Sequence, residues 1–242
     1  MKTYIHQRLS RLSQIGIRKI STTGVMTLIQ GQQGTIGMLK ELFDKYQCDK
    51  GTEKHHYYKD YEPYFESMRE EPIKILEIGT FKGASTQAFH EYFPNGTIYT
   101  IDIFQRTKAK ELKILQEERV EWLKADSMDA SLPIKIKREW GDVEFDFIID
   151  DGAHWPEANR LTFENCFPFL KKGGTYFIED VWPLHRMNQS ELAHPWIKKH
   201  QERYDMMKHY QLMDKLGEYN HKIHDRRKQT NCGDTYIIAI TK

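Results

Sequence analysis

The sequence predicts an open, doubly wound α/β sandwich with a mostly parallel sheet. Three observations carry that reading. Short isoleucine-rich runs recur along the chain, stretches with helical spacing separate them, and glycines or acids stand where the runs end. Runs that are apolar throughout, without strict alternation, suit strands covered on both faces. Strands separated by helices suit parallel βα units.

The elements follow in order. Leu9, Leu12, Ile15 and Ile17 form a short amphipathic face. A Ser, Thr, Gly and Gln-rich run over 21–37 then breaks any long helix. Within it, Val25, Met26, Leu28 and Ile29 are too apolar to stand in solvent. Residues 1–47 are therefore expected to be an N-terminal helical arm or lid, lying on the core or on a sister subunit of a homo-oligomer, and 48–242 the main domain. A helix is expected from Thr52, as N-cap, to Arg69. Strands are expected at 74–79, 97–102, 145–150 and 175–179, with helices at 84–92, 107–121 (spaced by Leu112 and Leu115) and 157–170. A long polar helical region should cover 189–216, interrupted at Pro195. The run at 235–240 has no helix after it and pairs with 219–224 as an antiparallel hairpin at the sheet edge.

Composition narrows the function. The chain has 242 residues, of which 39% are hydrophobic, enough for one sizeable core and too apolar for disorder. Its 36 basic and 35 acidic residues leave a net charge of +1, so there is no bulk attraction for nucleic acid or an anionic membrane. Lys135, Lys137 and Arg138, and the basic run at 224–228, lack the interleaved aromatics of a nucleic-acid stripe. No window reaches the length of an uncharged apolar membrane span. Cys48, Cys166 and Cys232 are scattered and odd in number, with no CxxC pair, which points to a reduced cytoplasmic compartment.

Ligands of an open parallel sheet bind beyond the carboxyl ends of its strands. The loop Glu77-Ile78-Gly79-Thr80-Phe81-Lys82-Gly83, leading to Ser85, allows a tight turn and close approach of a ligand to backbone. Its spacing fails the dinucleotide fingerprint and the Walker loop alike. Asp102 stands 23 residues after Gly79, at the end of the second strand. A carboxylate there can accept both hydrogen bonds of a ribose diol.

This glycine loop and second-strand acid resemble those of the class I S-adenosylmethionine-dependent methyltransferases. The resemblance implies a seven-stranded Rossmann-like sheet and S-adenosyl-L-methionine as cofactor. It implies that Glu77, Gly79, Thr80, Gly83, Ser85 and Asp150 help form the cofactor site, with Asp126 meeting the adenine.

A second constellation follows two other strands: Asp150-Asp151-Gly152-Ala153-His154 and Glu179-Asp180. Carboxylates converging at the sheet rim repel one another unless a cation neutralises them. A hard divalent ion, Mg²⁺ or Mn²⁺, suits oxygen ligands. Adjacent strand residues point to opposite faces, so Asp150 and Asp151 are not both ligands of one ion in regular strand, and the same holds for Glu179 and Asp180 unless the strand has turned. His154 follows across a Gly-Ala turn, and imidazole is the side chain whose normal pKa suits a general base.

These two segments are similar to those of the metal-dependent sugar O-methyltransferases of macrolide tailoring and of the cephalosporin hydroxylase/rhamnosyl O-methyltransferase group. The upstream Asp49-Lys50-Gly51, His56 and Tyr61 match a signature of the same group. The resemblance spans roughly residues 49–182. It implies Asp151, Glu179 and Asp180 as metal ligands, His154 as base, and a hydroxylated small-molecule acceptor, a sugar of a glycoside, glycolipid or natural product. Alanine at 153 departs from the family's serine, and the macrolide enzymes carry an additional N-terminal domain, so their assembly is not carried over. His56, Tyr57, Trp155 and Trp182 are candidate acceptor contacts by position. Two other readings stand beside this one: a catechol-type O-methyltransferase, and a non-catalytic adenosine-ligand binding domain.

Overall fold

A computed structural model describes residues 37–242. Its centre is a seven-stranded sheet of order β3-β2-β1-β4-β5-β7-β6. The strands are β1 (Lys74–Ile78), β2 (Thr97–Asp102), β3 (Val120–Lys124), β4 (Phe145–Asp150), β5 (Leu170–Ile178), β6 (Asn220–Asp225) and β7 (Tyr236–Thr241). The first five are parallel; β7 runs antiparallel to β5, and β6 antiparallel to β7. Chain order reverses between β1 and β4, the crevice at which such sheets bind ligands.

Side-chain alternation makes both faces apolar. Ile75, Phe147, Ile149, Phe177 and Ile237 join one core cluster, whereas Leu76, Ile148, Tyr176, Ile178 and Ile238 join the other. On the first face lie α1 (Met38–Lys45), α2 (Tyr58–Phe65) and α3 (Ala84–Tyr92). Phe65 is their common neighbour, with ring centroids 4.7 Å from Phe147, 6.1 Å from Phe89 and 5.9 Å from Phe177. The other face is covered through α4 (Leu132–Trp140), α5 (Pro156–Cys166) and α8 (Met206–Gly217), following two short helices, α6 (Gln189–Leu192) and α7 (Pro195–Lys199). The short helix α9 (Arg227–Thr230) links β6 and β7. No helix of the described residues is long and apolar enough to cross a membrane.

Several expectations need correction. The helix expected over 107–121 is two short 3-10 turns, and its end is strand β3. Pairing with β2 claims Val120 opposite Ile98, while Ile114 is buried beneath the turn at Gly83. Thr52 caps no helix: its N–H and hydroxyl both donate to Asp44 Oδ1, at 2.7 and 3.0 Å, and α2 begins at Tyr58. The region 189–216 is three helices, the last opened by the Asp205 carboxylate accepting from Lys208 N at 2.9 Å. Leu39, Leu42 and Phe43 of α1 are buried in the core. The rest of the expected arm, 1–36, lies outside the described residues.

Candidate active site

The loop after β1 is shaped by contacts that only glycine permits. Gly79 has φ +97°, and a Cβ there would stand 2.1 Å from the carbonyl oxygen of Asp151. The loops after β1 and β4 thus touch through their backbones, joined by Asp151 N donating to Ile78 O at 2.9 Å. Gly83, at φ +77°, opens α3 against Ile114. Glu77 lies beneath the loop, fully buried, and accepts from the Ser85 and Thr86 hydroxyls of the first turn of α3. Burial pushes Glu77 up to about 7, against those two hydrogen bonds. Thr80 is buried on Thr100, hydroxyl to hydroxyl at 2.6 Å.

Asp102, at the end of β2, accepts from Phe81 N at 2.9 Å and Phe104 N at 2.5 Å. One bond to each oxygen fixes the carboxylate in place and leaves acceptor capacity on both. Asp126 follows β3, is exposed, and accepts from Met128 N at 2.9 Å. Asp102 ends β2 and Asp126 follows the neighbouring parallel strand β3, and Asp102 is the one bonded to the glycine loop, through Phe81 N.

The acids after β4 and β5 separate by face. Asp150 is buried towards α5, where it accepts from Gly152 N at 3.2 Å and Asn159 Nδ2 at 3.3 Å, and burial pushes it up to about 7. It stands behind the rim with both oxygens engaged. Asp151 instead faces Lys50, whose Nζ lies 2.5 Å from Asp151 Oδ2 and 2.6 Å from Glu179 Oε2. Tyr61 OH donates to the other oxygen of Glu179. Strand β5 ends at Ile178, and Asp180 has φ +51°, so the chain has turned and Glu179 and Asp180 avoid strict alternation. Asp180 Oδ1 accepts from Tyr57 OH at 2.7 Å. His154 also has positive φ, +61°, and its Nε2 is 3.6 Å from Asp151 Oδ1. Non-glycine residues in this region store about 1–3 kcal/mol each, and such strain clusters at functional sites.

Donor atoms of Asp151, His154 and Asp180 lie within 4.8 Å of one another. Burial drives Glu179 well above the usual carboxylate range and Asp151 upward, even with the Lys50 ammonium opposing it. Burial lowers His154, but the Asp180, Asp151 and Asp150 carboxylates outweigh it and raise its pKa. With the three carboxylates ionised and the imidazole neutral, the Lys50 ammonium leaves two net negative charges, which a divalent cation would cancel. His154 Nδ1 is buried without a hydrogen-bond partner. An oxygen-rich, doubly negative cluster with free oxygens at Asp151 Oδ1 and Asp180 Oδ2 fits Mg²⁺.

The acceptor candidates divide. Tyr57 and Trp182 are buried, the first on Asp180 and the second among Leu184, Met187, Ile197 and Tyr204, so neither is a surface platform. His56 turns back onto Thr52 O at 2.8 Å. Trp155 is partly exposed, with the Arg203 guanidinium 4.6 Å from its ring centroid. Lys50 and Tyr61 carried no assigned role in the sequence beyond the Asp-Lys-Gly and Tyr signature. A lysine buried between acids 101 and 129 residues away has no local signal.

The sheet order, the glycine loop and the strand-end acids define a Rossmann-like class I methyltransferase fold. The comparisons make this particular. A family model described as a methyltransferase domain matches residues 76–181. The chain resembles the macrolide-sugar O-methyltransferases. It is 31% identical over 172 residues to mycinamicin VI 2''-O-methyltransferase of Micromonospora griseorubida, covering 64% of this chain and 41% of that protein. It is 30% identical over 163 residues to demethylmacrocin O-methyltransferase of Streptomyces fradiae, covering 64% and 39%. Among solved structures, the MycE methyltransferase of the mycinamycin pathway, in complex with Mg, SAH and mycinamycin VI, superposes with a TM-score of 0.60 at 26% identity. That match covers 84% of this chain and 54% of MycE. The chain thus spans about two fifths of the length of these curated relatives.

Proposed function

We propose that this chain transfers a methyl group from S-adenosyl-L-methionine to a hydroxyl of a sugar, with Mg²⁺ or Mn²⁺ bound at the rim. The observation that carries the reading is the convergence of Asp151, His154 and Asp180 beside the loop after β1. Relatives that methylate sugar hydroxyls, and one solved with Mg and SAH, support it.

In this reading Asp102 accepts the two ribose hydroxyls, Asp126 meets the adenine, and the backbone of Gly79, Thr80 and Gly83 admits the methionine end. Glu77 and Ser85 hold the loop from beneath, and Asp150 holds the neighbouring one. S-adenosylmethionine supplies a methyl group on a positively charged sulfur. The divalent ion supplies Lewis acidity to an alcohol. Asp151 and Asp180 would hold the ion through their free oxygens, and Glu179, whose two oxygens are taken by Lys50 and Tyr61, would join them on release of one of those bonds; Lys50 keeps Asp151 and Glu179 from repelling each other, and Tyr57 aims Asp180. His154 accepts the hydroxyl proton at Nε2, beside Asp151. Vicinal diols suit this arrangement, because two neighbouring oxygens can be oriented at once and positioning supplies much of the rate. Trp155 borders the acceptor, whereas His56 is held back on Thr52 O. Three free cysteines among the described residues support a cytoplasmic place of action.

The test is transfer of labelled methyl from S-adenosylmethionine to a panel of glycosides bearing vicinal diols, with catechols alongside. Labelled ether on a sugar oxygen, abolished by EDTA and restored by Mg²⁺ or Mn²⁺, is expected. Methylation at nitrogen or carbon, or no transfer to any acceptor by protein that binds S-adenosylhomocysteine, overturns the assignment.

A further inference from the structure

A second donor cluster lies beside the rim and plays no part in the reading above. One ring nitrogen of His55, Cys232 Sγ and a carboxylate oxygen of Asp234 lie within 4.8 Å of one another. His55 is 1% exposed, and its Nε2 has no hydrogen-bond partner. An imidazole nitrogen buried without a partner is destabilising, and a ligand on it would remove that penalty.

The surroundings hold these donors ready. His55 Nδ1 meets Thr235 Oγ1 at 2.8 Å, and Thr235 Oγ1 accepts from the Thr230 hydroxyl at 2.9 Å. With Nδ1–H donating to Thr235, Nε2 is left as the nitrogen with a free lone pair, the outer-shell arrangement that metal-binding histidines use. The imidazole stacks on Tyr57 at 4.8 Å, and the Tyr57 hydroxyl, whose hydrogen goes to Asp180, lies 3.2 Å from Asp234 O. Between the other two donors, a Cβ on Gly233 would stand 2.7 Å from the Trp182 ring, so the turn is pressed against a buried aromatic. Cys232 Sγ donates to Asp234 Oδ1 at 3.0 Å.

We propose that His55, Cys232 and Asp234 form a zinc site, separate in chemistry from the oxygen-rich rim. A thiolate with an imidazole and a carboxylate suits Zn²⁺, whereas Mg²⁺ avoids sulfur. On binding, the ion takes the place of the thiol hydrogen, which leaves to solvent as a proton. Tetrahedral Zn²⁺ needs its donors about 3.3–3.8 Å apart. Cys232 Sγ and Asp234 Oδ1, now 3.0 Å apart, would open slightly to take the ion between them, a motion within reach of their side-chain rotations. The fourth position falls to water or to Asp49, whose Oδ2 is 3.8 Å from His55 Nε2. The ion fastens the turn before β7 to the segment before α2. Those two segments meet at Tyr57, which orients Asp180, and His55 Nε2 is itself 3.6 Å from Asp180 Oδ1.

The test uses the full chain, stripped with chelator and then saturated with Mg²⁺, which occupies the rim. Zn²⁺ added to this protein should bind at one equivalent that excess Mg²⁺ does not displace. Co²⁺ in its place should give a thiolate-to-metal charge-transfer band in the near ultraviolet. Cys232→Ser, with its fold checked by circular dichroism, should lose the band and weaken Zn²⁺ by more than the roughly 10–100-fold that loss of an outer-shell partner costs. Asp151→Asn, which damages the rim, should keep the band. A folded wild-type chain with no band, or a Cys232→Ser chain that keeps the band or the wild-type Zn²⁺ affinity, overturns the proposal.

Discussion

His154 and Asp151 stand 3.6 Å apart, and their substitutions should fail differently. Asp151→Asn removes a ligand charge and leaves Lys50 with one carboxylate fewer, so raised Mg²⁺ should recover part of the lost rate. His154→Ala leaves the three carboxylates in place; metal and cofactor should still bind, while turnover falls by roughly 10²–10⁴-fold. Added metal should not rescue it. Steady-state rates across a metal titration, with cofactor affinity measured alongside, separate the two, and a His154→Ala rate equal to wild type would refute the base. Gly79 fails for a backbone reason. An alanine there meets both a positive φ and the Asp151 carbonyl, so Gly79→Ala should lose at least about 1–3 kcal/mol in urea unfolding. It should also weaken S-adenosylhomocysteine in calorimetric titration, because the loops after β1 and β4 must part.

Helix α2 is held to the antiparallel edge by one ion-pair cluster. Asp60, buried, accepts from Arg226 at 2.6 and 2.7 Å and faces His224 Nδ1 at 2.9 Å. Burial raises the Asp60 pKa, but the bonds to His224 and Arg226 outweigh it and hold the carboxyl below its ordinary value. A carboxylate with a depressed folded pKa contributes stability above its unfolded value, about 3.9, and loses it as pH falls through the folded one. Asp60→Asn should therefore cost stability at pH 7, towards the low end of about 3–5 kcal/mol because Arg226 is partly exposed. The gap to wild type should narrow below about pH 4. Urea unfolding of both proteins from pH 7 to pH 3 measures this; a constant gap would place the cost in packing.

At the scale of the whole molecule, we propose that the chain is a homo-oligomer, resting on the apolar run Val25 to Ile29. Light scattering after size exclusion should return a multiple of 28.8 kDa, and a monomer mass across a wide concentration range would count against it. The strands at 74–78, 97–102 and 145–150 and the helix at 84–92 were legible in sequence because each carries its own signal: an isoleucine run, a glycine turn, a closing acid. Strand β3 was not, because Val120-Glu121-Trp122-Leu123-Lys124 carries two charges in five residues, forms the sheet edge and becomes a strand only by pairing with β2. The candidate rim acids were legible for the same local reason as the strands they end. Which way they face was not. Asp150 turns to Asn159 and Asp151 to Lys50; the latter preserves strand alternation, while the positive φ of Asp180 ends it after β5. The sequence by itself determined the sheet's core strands and the acids at their ends, since hydrophobic periodicity and turn chemistry act over a few residues. Only the tertiary structure decided that Lys50, Tyr57 and Tyr61 would be buried against those acids, and that His55 would meet Cys232 and Asp234. Those contacts join segments more than a hundred residues apart, where burial and charge pairing, not local spacing, select the partner.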